Sequence, residues 1–167
     1  MQTDRKEALR YLGLGKHEPD PETERLLEEC IREAERAAEF RYLVREYPLS
    51  VEEDGTIDGG CFRVKSANLK KNLSGCDSVL VMAVTVGAEI DRLLARYGKL
   101  SVAKAVVMQA AAAAMVEAYC NELNAGWKKE YLEKGLYLRP RFSPGYGDFP
   151  LSAQKQILDG LEAGKRI

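Results

Sequence analysis

The chain has 167 residues, about one domain's worth and long enough to bury one core. Hydrophobic residues make up 46% and charged ones 31%, a globular balance that excludes an intrinsically disordered chain. With 25 basic and 26 acidic residues the formal net charge is −1, which leaves no electrostatic case for nucleic acid as a partner.

The N-terminal MQTDRKEALR lacks the apolar core of a signal peptide, and no apolar run reaches bilayer length. A cytoplasmic protein with no membrane partner is expected. Residues 3–12 form a short helix ended by Gly13. Asp20-Pro21 opens a stronger one, a capping side chain followed by proline at the first helical position. In it Leu26, Leu27, Cys30, Ile31, Ala34, Ala37 and Ala38 recur at three- and four-residue spacing and make one apolar face. The periodicity then changes. Residues 42–52 and 56–64 flank Asp54-Gly55 and predict a hairpin, with a bulge at Gly59-Gly60. Ser66 starts a short helix that ends near Gly75. SVLVMAVTVG, residues 78–87, is β-branched and apolar and predicts a buried central strand.

Gly87 leads into an amphipathic helix carrying Ile90, Leu93, Leu94 and Tyr97. Ser101 caps the next helix, which runs to about residue 125 or continues to 134; its Ala110–Ala114 cluster lets another element pack close. GLYLRPRFS, residues 135–143, alternates as a strand does, with Leu136, Leu138 and Phe142 on one face and Tyr137, Arg139, Arg141 and Ser143 on the other. Ser152 caps a last helix with Ile157, Leu158 and Leu161, ended by Gly164. This order is not a regular βαβ alternation. It predicts one α+β domain over residues 1–167 with a mainly antiparallel sheet. Lys165-Arg166-Ile167 stops just past a helix end, where an apolar strand is expected, so a C-terminally truncated form of a longer domain is the expectation.

The chemistry-bearing residues exclude much. His17 is the only histidine, which argues against a histidine metal site and against any Ser-His or Cys-His nucleophile pair. Cys30, Cys61, Cys76 and Cys120 are far apart and read as reduced residues. Leu12-Gly13-Leu14-Gly15 follows a helical segment, and Val86-Gly87 offers one glycine where a pyrophosphate-binding turn needs three. Glu52, Glu53, Asp54 and Asp58 surround a turn and read as a solvated edge; Glu89 and Asp91 suit a helix start. Lys65, Lys70 and Lys71 are too few for nucleic-acid binding.

RPRFSPGYGDFP, residues 139–150, is the unusual stretch. The alternation puts Arg139 and Arg141 on one sheet face, where a guanidinium matches a carboxylate by two parallel hydrogen bonds. Pro144 stiffens the exit from the strand. Gly145 and Gly147 let a ligand lie against the backbone, and Tyr146 adds an aromatic face and a hydroxyl. These parts suit a zwitterionic, flat-ended ligand; a structural turn with surface arginines is the other reading they allow.

Arg141-Phe142-Ser143-Pro144-Gly145-Tyr146 resembles the Arg-x-x-x-Gly-Tyr signature of the activation (reactivation) domain of cobalamin-dependent methionine synthase. Gly147-Asp148-Phe149-Pro150 and the following Leu151-Ser152-Ala153-Gln154-Lys155 resemble it too, as do VTVGAEIDRLLARYGK and the alanine-rich helix, so the likeness covers roughly residues 20–167. It implies a curved antiparallel sheet that binds S-adenosylmethionine and folds over a cobalamin-binding domain. It also implies Arg141 at the methionine carboxylate, Tyr146 beside the ligand, and backbone groups around Ser143 and Gly145. The family's acidic ligand contact near its N-terminus has no matching position here; Glu133, shortly before the strand, is an acidic candidate. The family's C-terminal strands are missing after Ile167.

A chain that begins at Met1 reads as the stand-alone form, docking in trans on the cobalamin-binding domain of methionine synthase or on another corrinoid protein. Partner-borne cobalamin is then returned to activity by reductive methylation, with a flavodoxin-like electron donor, and methylation pulls an uphill reduction forward. The chain itself needs no catalytic acid, base, nucleophile or metal, so it is an accessory subunit whose work is positioning. The alternatives are a non-catalytic docking module for another corrinoid methyltransferase system and a purely structural interaction domain.

Overall fold

The computed structural model describes residues 3–15 and 17–167. The fold is α+β, with small antiparallel sheets and helices, and it divides into two compact units, each built from two separated stretches of chain.

The first unit runs to Arg41 and resumes from Val84 to Trp127. Helix α1 (Arg5–Tyr11) starts where the Asp4 carboxylate accepts the N–H groups of Lys6 and Glu7. Helix α2 (Pro21–Ala37) starts the same way, Asp20 accepting from Glu22 and Thr23. Each cap satisfies amides that a helix end leaves without partners. The apolar face expected of α2 is the one buried: Leu27, Cys30 and Ala34 are fully enclosed. Against it lie Ile90 and Tyr97 of α4 (Ala88–Leu100) and Val107, Met108, Ala111 and Met115 of α5 (Val102–Glu133). Burial pushes the Cys30 thiol up to about 11. The four cysteines are free.

Helix α5 extends to Glu133, the longer of the two lengths its sequence allows, and Ser101 Oγ accepts the Lys104 N–H at its start. By length and composition alone α5 is long and apolar enough to cross a membrane, with a mean hydropathy of 1.3 over its most apolar window, contrary to the expectation that no segment is. Several of its apolar residues, Met108 and Met115 among them, line the core of the first unit.

The second unit spans Tyr42–Ala83 and Lys128–Ile167. Strand β1 (Arg41–Pro48) pairs with β5 (Ser78–Thr85). The Glu39 N–H to Val86 carbonyl bond (2.9 Å) and the Leu49 N–H to Asp77 carbonyl bond (3.0 Å) bracket the pair and make it antiparallel. Strands β2 (Ser50–Val51), β3 (Thr56–Asp58) and β4 (Arg63–Lys65) form a three-stranded antiparallel meander, with Val51 opposite Ile57 and Ile57 opposite Val64. The turn at Asp54-Gly55 is where the sequence puts it: Asp54 Oδ1 accepts the Thr56 N–H, and the Gly55 N–H reaches the Glu52 carbonyl.

Four expectations are corrected. The first arm of the predicted hairpin is split, because residues 41–48 pair with the apolar β5 and only Ser50–Val51 pairs with β3; Pro48, with no N–H, stands where the chain changes sheet. Among the described residues strand β5 pairs with β1 alone and is therefore not central. Gly59-Gly60 lie in the tight turn between β3 and β4, where Asp58 Oδ1 accepts the Gly60 N–H, and not in a bulge. Helix α6 (Ala153–Gly160) begins without a Ser152 side-chain cap and ends at Gly160; Glu162 in the left-handed region breaks it from α7 (Ala163–Arg166).

The core of this unit gathers Ile57, Phe62, Val64, Leu69, Val81, Phe149 and Leu161. Glu46 on β1 accepts from Ser78 Oγ at 2.6 Å and from the Tyr131 hydroxyl at 2.7 Å. The Glu46 carboxylate, then burial, push the Tyr131 phenol from 10.0 up to about 12. The folded-state value lies above the unfolded one, so Tyr131 contributes fully below pH 10 and its contribution is lost as the pH rises toward 12. Urea unfolding across that interval is expected to show a decline in stability that Tyr131→Phe reduces; identical profiles for the two proteins would remove this contact from the account.

Candidate functional site

The segment from Gly135 to Ser143 is not a strand. Pro140 and Pro144 lack the N–H groups a ladder needs. Two polar groups of this stretch go instead to helix α3 (Ala67–Asn72) and the residues after it. Asn72 Nδ2 donates to the Pro140 carbonyl at 3.1 Å, and Arg139 Nη2 donates to the Ser74 carbonyl at 2.7 Å. The sheet face that Arg139 and Arg141 were expected to share does not exist. Leu138 and Phe142 are half-buried, while Leu136 and Tyr137 are exposed.

The glycine-rich bend that follows is closed on itself. The Tyr146 N–H reaches the Ser143 carbonyl, the Phe149 N–H reaches the Tyr146 carbonyl, and the Gly145 N–H reaches the Phe149 carbonyl at 2.9 Å. Phe149 is buried and anchors the bend in the core, its ring 5.8 Å from Phe62 and 6.2 Å from Phe142. Beyond the bend Asp148 caps α3 from outside that helix. Its carboxylate accepts from Ser66 Oγ, from the Ala67 N–H at 2.6 Å and from the Asn68 N–H at 3.1 Å. The Ser66 hydroxyl first, then the two amides, hold the Asp148 carboxyl below its usual range. Ser66 Oγ in turn accepts the Leu69 N–H, so the expected Ser66 cap is present and itself oriented by Asp148.

Between α3 and this segment lies an open hollow of about 560 Å³. One wall is a face of α3, Asn68, Lys71 and Asn72, brought together by three- and four-residue spacing. The other is Arg139, Pro140, Phe142, Tyr146 and Gly147. Tyr146 is 63% exposed and its ring stands 6.5 Å from that of Phe142, so it presents an aromatic surface to whatever enters. No protein-family model matches the chain, and no curated protein is similar to it.

Of the residues the sequence singles out, Tyr146 lines the hollow. Arg141 is half-buried and is not on its wall; Arg139 is. Ser143 and Gly145 shape the bend behind Tyr146, and the N–H groups of Gly145 and Tyr146 are already engaged inside it. The α3 wall was not anticipated. Its signal was present in Asn68-x-x-Lys71-Asn72, but short polar helices give no reason to look for a ligand until the opposite wall is known.

Four of the acidic groups flagged as non-catalytic have structural partners, Asp58 through the Gly60 N–H and three through ion pairs. Asp54 pairs with Lys65 at 2.7 Å, Glu52 with Arg63, and Glu89 with Arg92 at 2.7 Å.

Proposed function

We propose that the protein binds S-adenosylmethionine on the loop at 141–146 and docks, in the cytoplasm, on a corrinoid protein whose cobalamin it helps return to activity. The resemblance of Arg141–Tyr146 to the methionine synthase activation-domain signature is the starting point. The observation that carries the reading is that Tyr146 of this signature forms one wall of a hollow whose volume, about 560 Å³, falls within the range of roughly 300–1,000 Å³ usual for small-ligand sites. The reading includes the family's curved antiparallel sheet, to which the paired strands of the second unit would belong.

The residues present fit such a ligand in part. Tyr146 and Phe142 offer aromatic surface to a flat base, and Arg141, Ser143 and Gly145 lie on the same bend. Arg139 stands nearer the hollow than the signature suggests. When bound, S-adenosylmethionine supplies an activated methyl group. The chain's own contribution is to hold and orient that group toward a partner, which needs no acid, base or nucleophile.

Titration calorimetry with S-adenosylmethionine tests this. Tyr146→Ala is expected to weaken binding about tenfold, the loss typical of one base–aromatic stacking contact. Its exposed ring predicts an unchanged Tm. Arg141→Ala, which the signature and not the lining of the hollow singles out, is expected to remove most binding. Undiminished affinity in both variants overturns the site assignment.

A non-catalytic docking module is the second reading. Leu136, Tyr137, Tyr146 and Leu151, all in the second unit, are each more than half exposed and offer apolar side chains to a protein partner. Incubation with a corrinoid protein, a reductant and S-adenosylmethionine separates the two: methylcobalamin forms under the first reading and does not under the second.

A further inference from the structure

The hollow is one-sided in charge. Its walls carry two cations, Lys71 and Arg139, and no carboxylate. The nearest acid along the chain, Asp148, has both oxygens turned to α3 by Ser66, Ala67 and Asn68. Lys71 has no ion pair or hydrogen-bond partner among the described residues, unlike Lys65, which is tied to Asp54. Arg139 uses only Nη2, on the Ser74 carbonyl, and keeps its remaining N–H groups for another acceptor. Asn68 and Asn72 flank Lys71 on the same wall, with Asn72 partly engaged by Pro140. Across from the α3 donors, on the same wall as Arg139, stand the rings of Phe142 and Tyr146. An array of donors facing an aromatic wall, with no acid between, recognises a ligand that is anionic at one end and flat at the other.

We infer that the hollow selects its ligand by an anionic group held at the α3 wall, and that Lys71 is the residue that binds it. The inference shares the hollow with the reading above but does not need that reading's ligand. It also predicts an order among adenosyl compounds. A cationic sulfonium meets no acid here, so S-adenosylhomocysteine, which keeps the carboxylate and loses the sulfonium charge, binds at least as well as S-adenosylmethionine.

Calorimetry with adenosine 5′-monophosphate, adenosine, S-adenosylhomocysteine and S-adenosylmethionine tests the inference on the wild type, Lys71→Gln and Lys71→Arg. The phosphate compound is expected to bind about tenfold more tightly than adenosine, an advantage of the size one charge-assisted contact gives and one that shrinks with added salt. Lys71→Gln is expected to abolish that advantage and Lys71→Arg to keep most of it. Lys71 also sits in the last turn of α3, where a cation complements the helix carbonyls, so Tm is read alongside; an unchanged Tm with lost discrimination assigns the effect to ligand. Equal binding of adenosine and its monophosphate, no binding of either, or discrimination that survives Lys71→Gln overturns the inference. If S-adenosylmethionine binds while Lys71→Gln changes nothing, only this inference falls. If the monophosphate binds through Lys71 and S-adenosylmethionine does not bind, only the proposed function falls.

Discussion

Gly87→Ala is expected to destabilise the protein by about 3 kcal/mol, combining backbone strain and overpacking. Gly87 joins β5 to α4 with φ 92° and ψ 154°, a region of backbone space that side-chain-bearing residues essentially never occupy. A Cβ there would stand 2.9 Å from Glu39 Cβ and 3.2 Å from the Glu39 nitrogen. Neither is the mobile end of a side chain, so backbone must move. The motion bears directly on the Glu39 N–H to Val86 carbonyl bond, one of the two that bracket the β1–β5 pair. For a chain of this size the loss corresponds to a fall in Tm of roughly 10 °C. Thermal unfolding followed by circular dichroism measures it; a Tm within a degree or two of the wild type would show that this junction is not held as described.

The second large effect concerns the site. Gly147→Val is expected to pull the bend away from α3, to cost about 2 kcal/mol in stability, and to weaken ligand binding. Gly147 has φ 54°, and a Cβ would lie 2.5 Å from Asn68 Nδ2 and 3.1 Å from Asn68 Cγ. Asn68 is on the opposite wall of the hollow; its amide can turn away, but its Cβ, 3.3 Å off and fixed to α3, cannot, so the contact bears on both walls. It also displaces the next residue, Asp148, whose carboxylate holds Ser66 and the first amides of α3. Amide hydrogen exchange reports the consequence locally: the Ala67 and Asn68 N–H groups are expected to exchange faster in Gly147→Val and in Asp148→Ala, with the Phe149 core contacts less affected. Unchanged exchange at both amides would mean that Asp148 does not secure this helix.

Much of the architecture was legible because it rests on local rules. Asp20 and Ser66 announce helix starts, since a short oxygen-bearing side chain one position before a helix can only usefully take its free amides. The three- and four-residue spacing in α2 identifies the buried face, and Asp54-Gly55 identifies the turn between β2 and β3. What local pattern could not supply was the choice of partner. Residues 41–48 read equally well as an arm of a hairpin or as a partner for β5, and alternation cannot say which edge a strand meets. No break in composition marks the two compact units.

The segment at 135–143 shows the same limit from the other side. Its alternation is a strand's alternation, yet Pro140 removes a ladder donor, and Asn72 of α3 and the Ser74 carbonyl beyond it supply a donor and an acceptor nearby. The pattern was sound and the geometry went elsewhere. The peculiar composition at 139–150 is explained by packing: Phe149 fills the core, Gly147 permits contact with Asn68, and Asp148 caps a helix some eighty residues earlier.

By itself, the order of amino acids determined the helix starts at Asp20, Ser66 and Ser101, the inward face of α2, and a bend rich in glycine around Tyr146. Only the tertiary structure decided that Tyr146 faces Asn68, Lys71 and Asn72 across a hollow, that Arg139 rather than Arg141 borders it, and that an external carboxylate completes the start of α3. The reason is distance along the chain: caps and periodic faces are set by residues within about one helical turn, whereas a site's opposite walls meet only after every intervening element has found its neighbour.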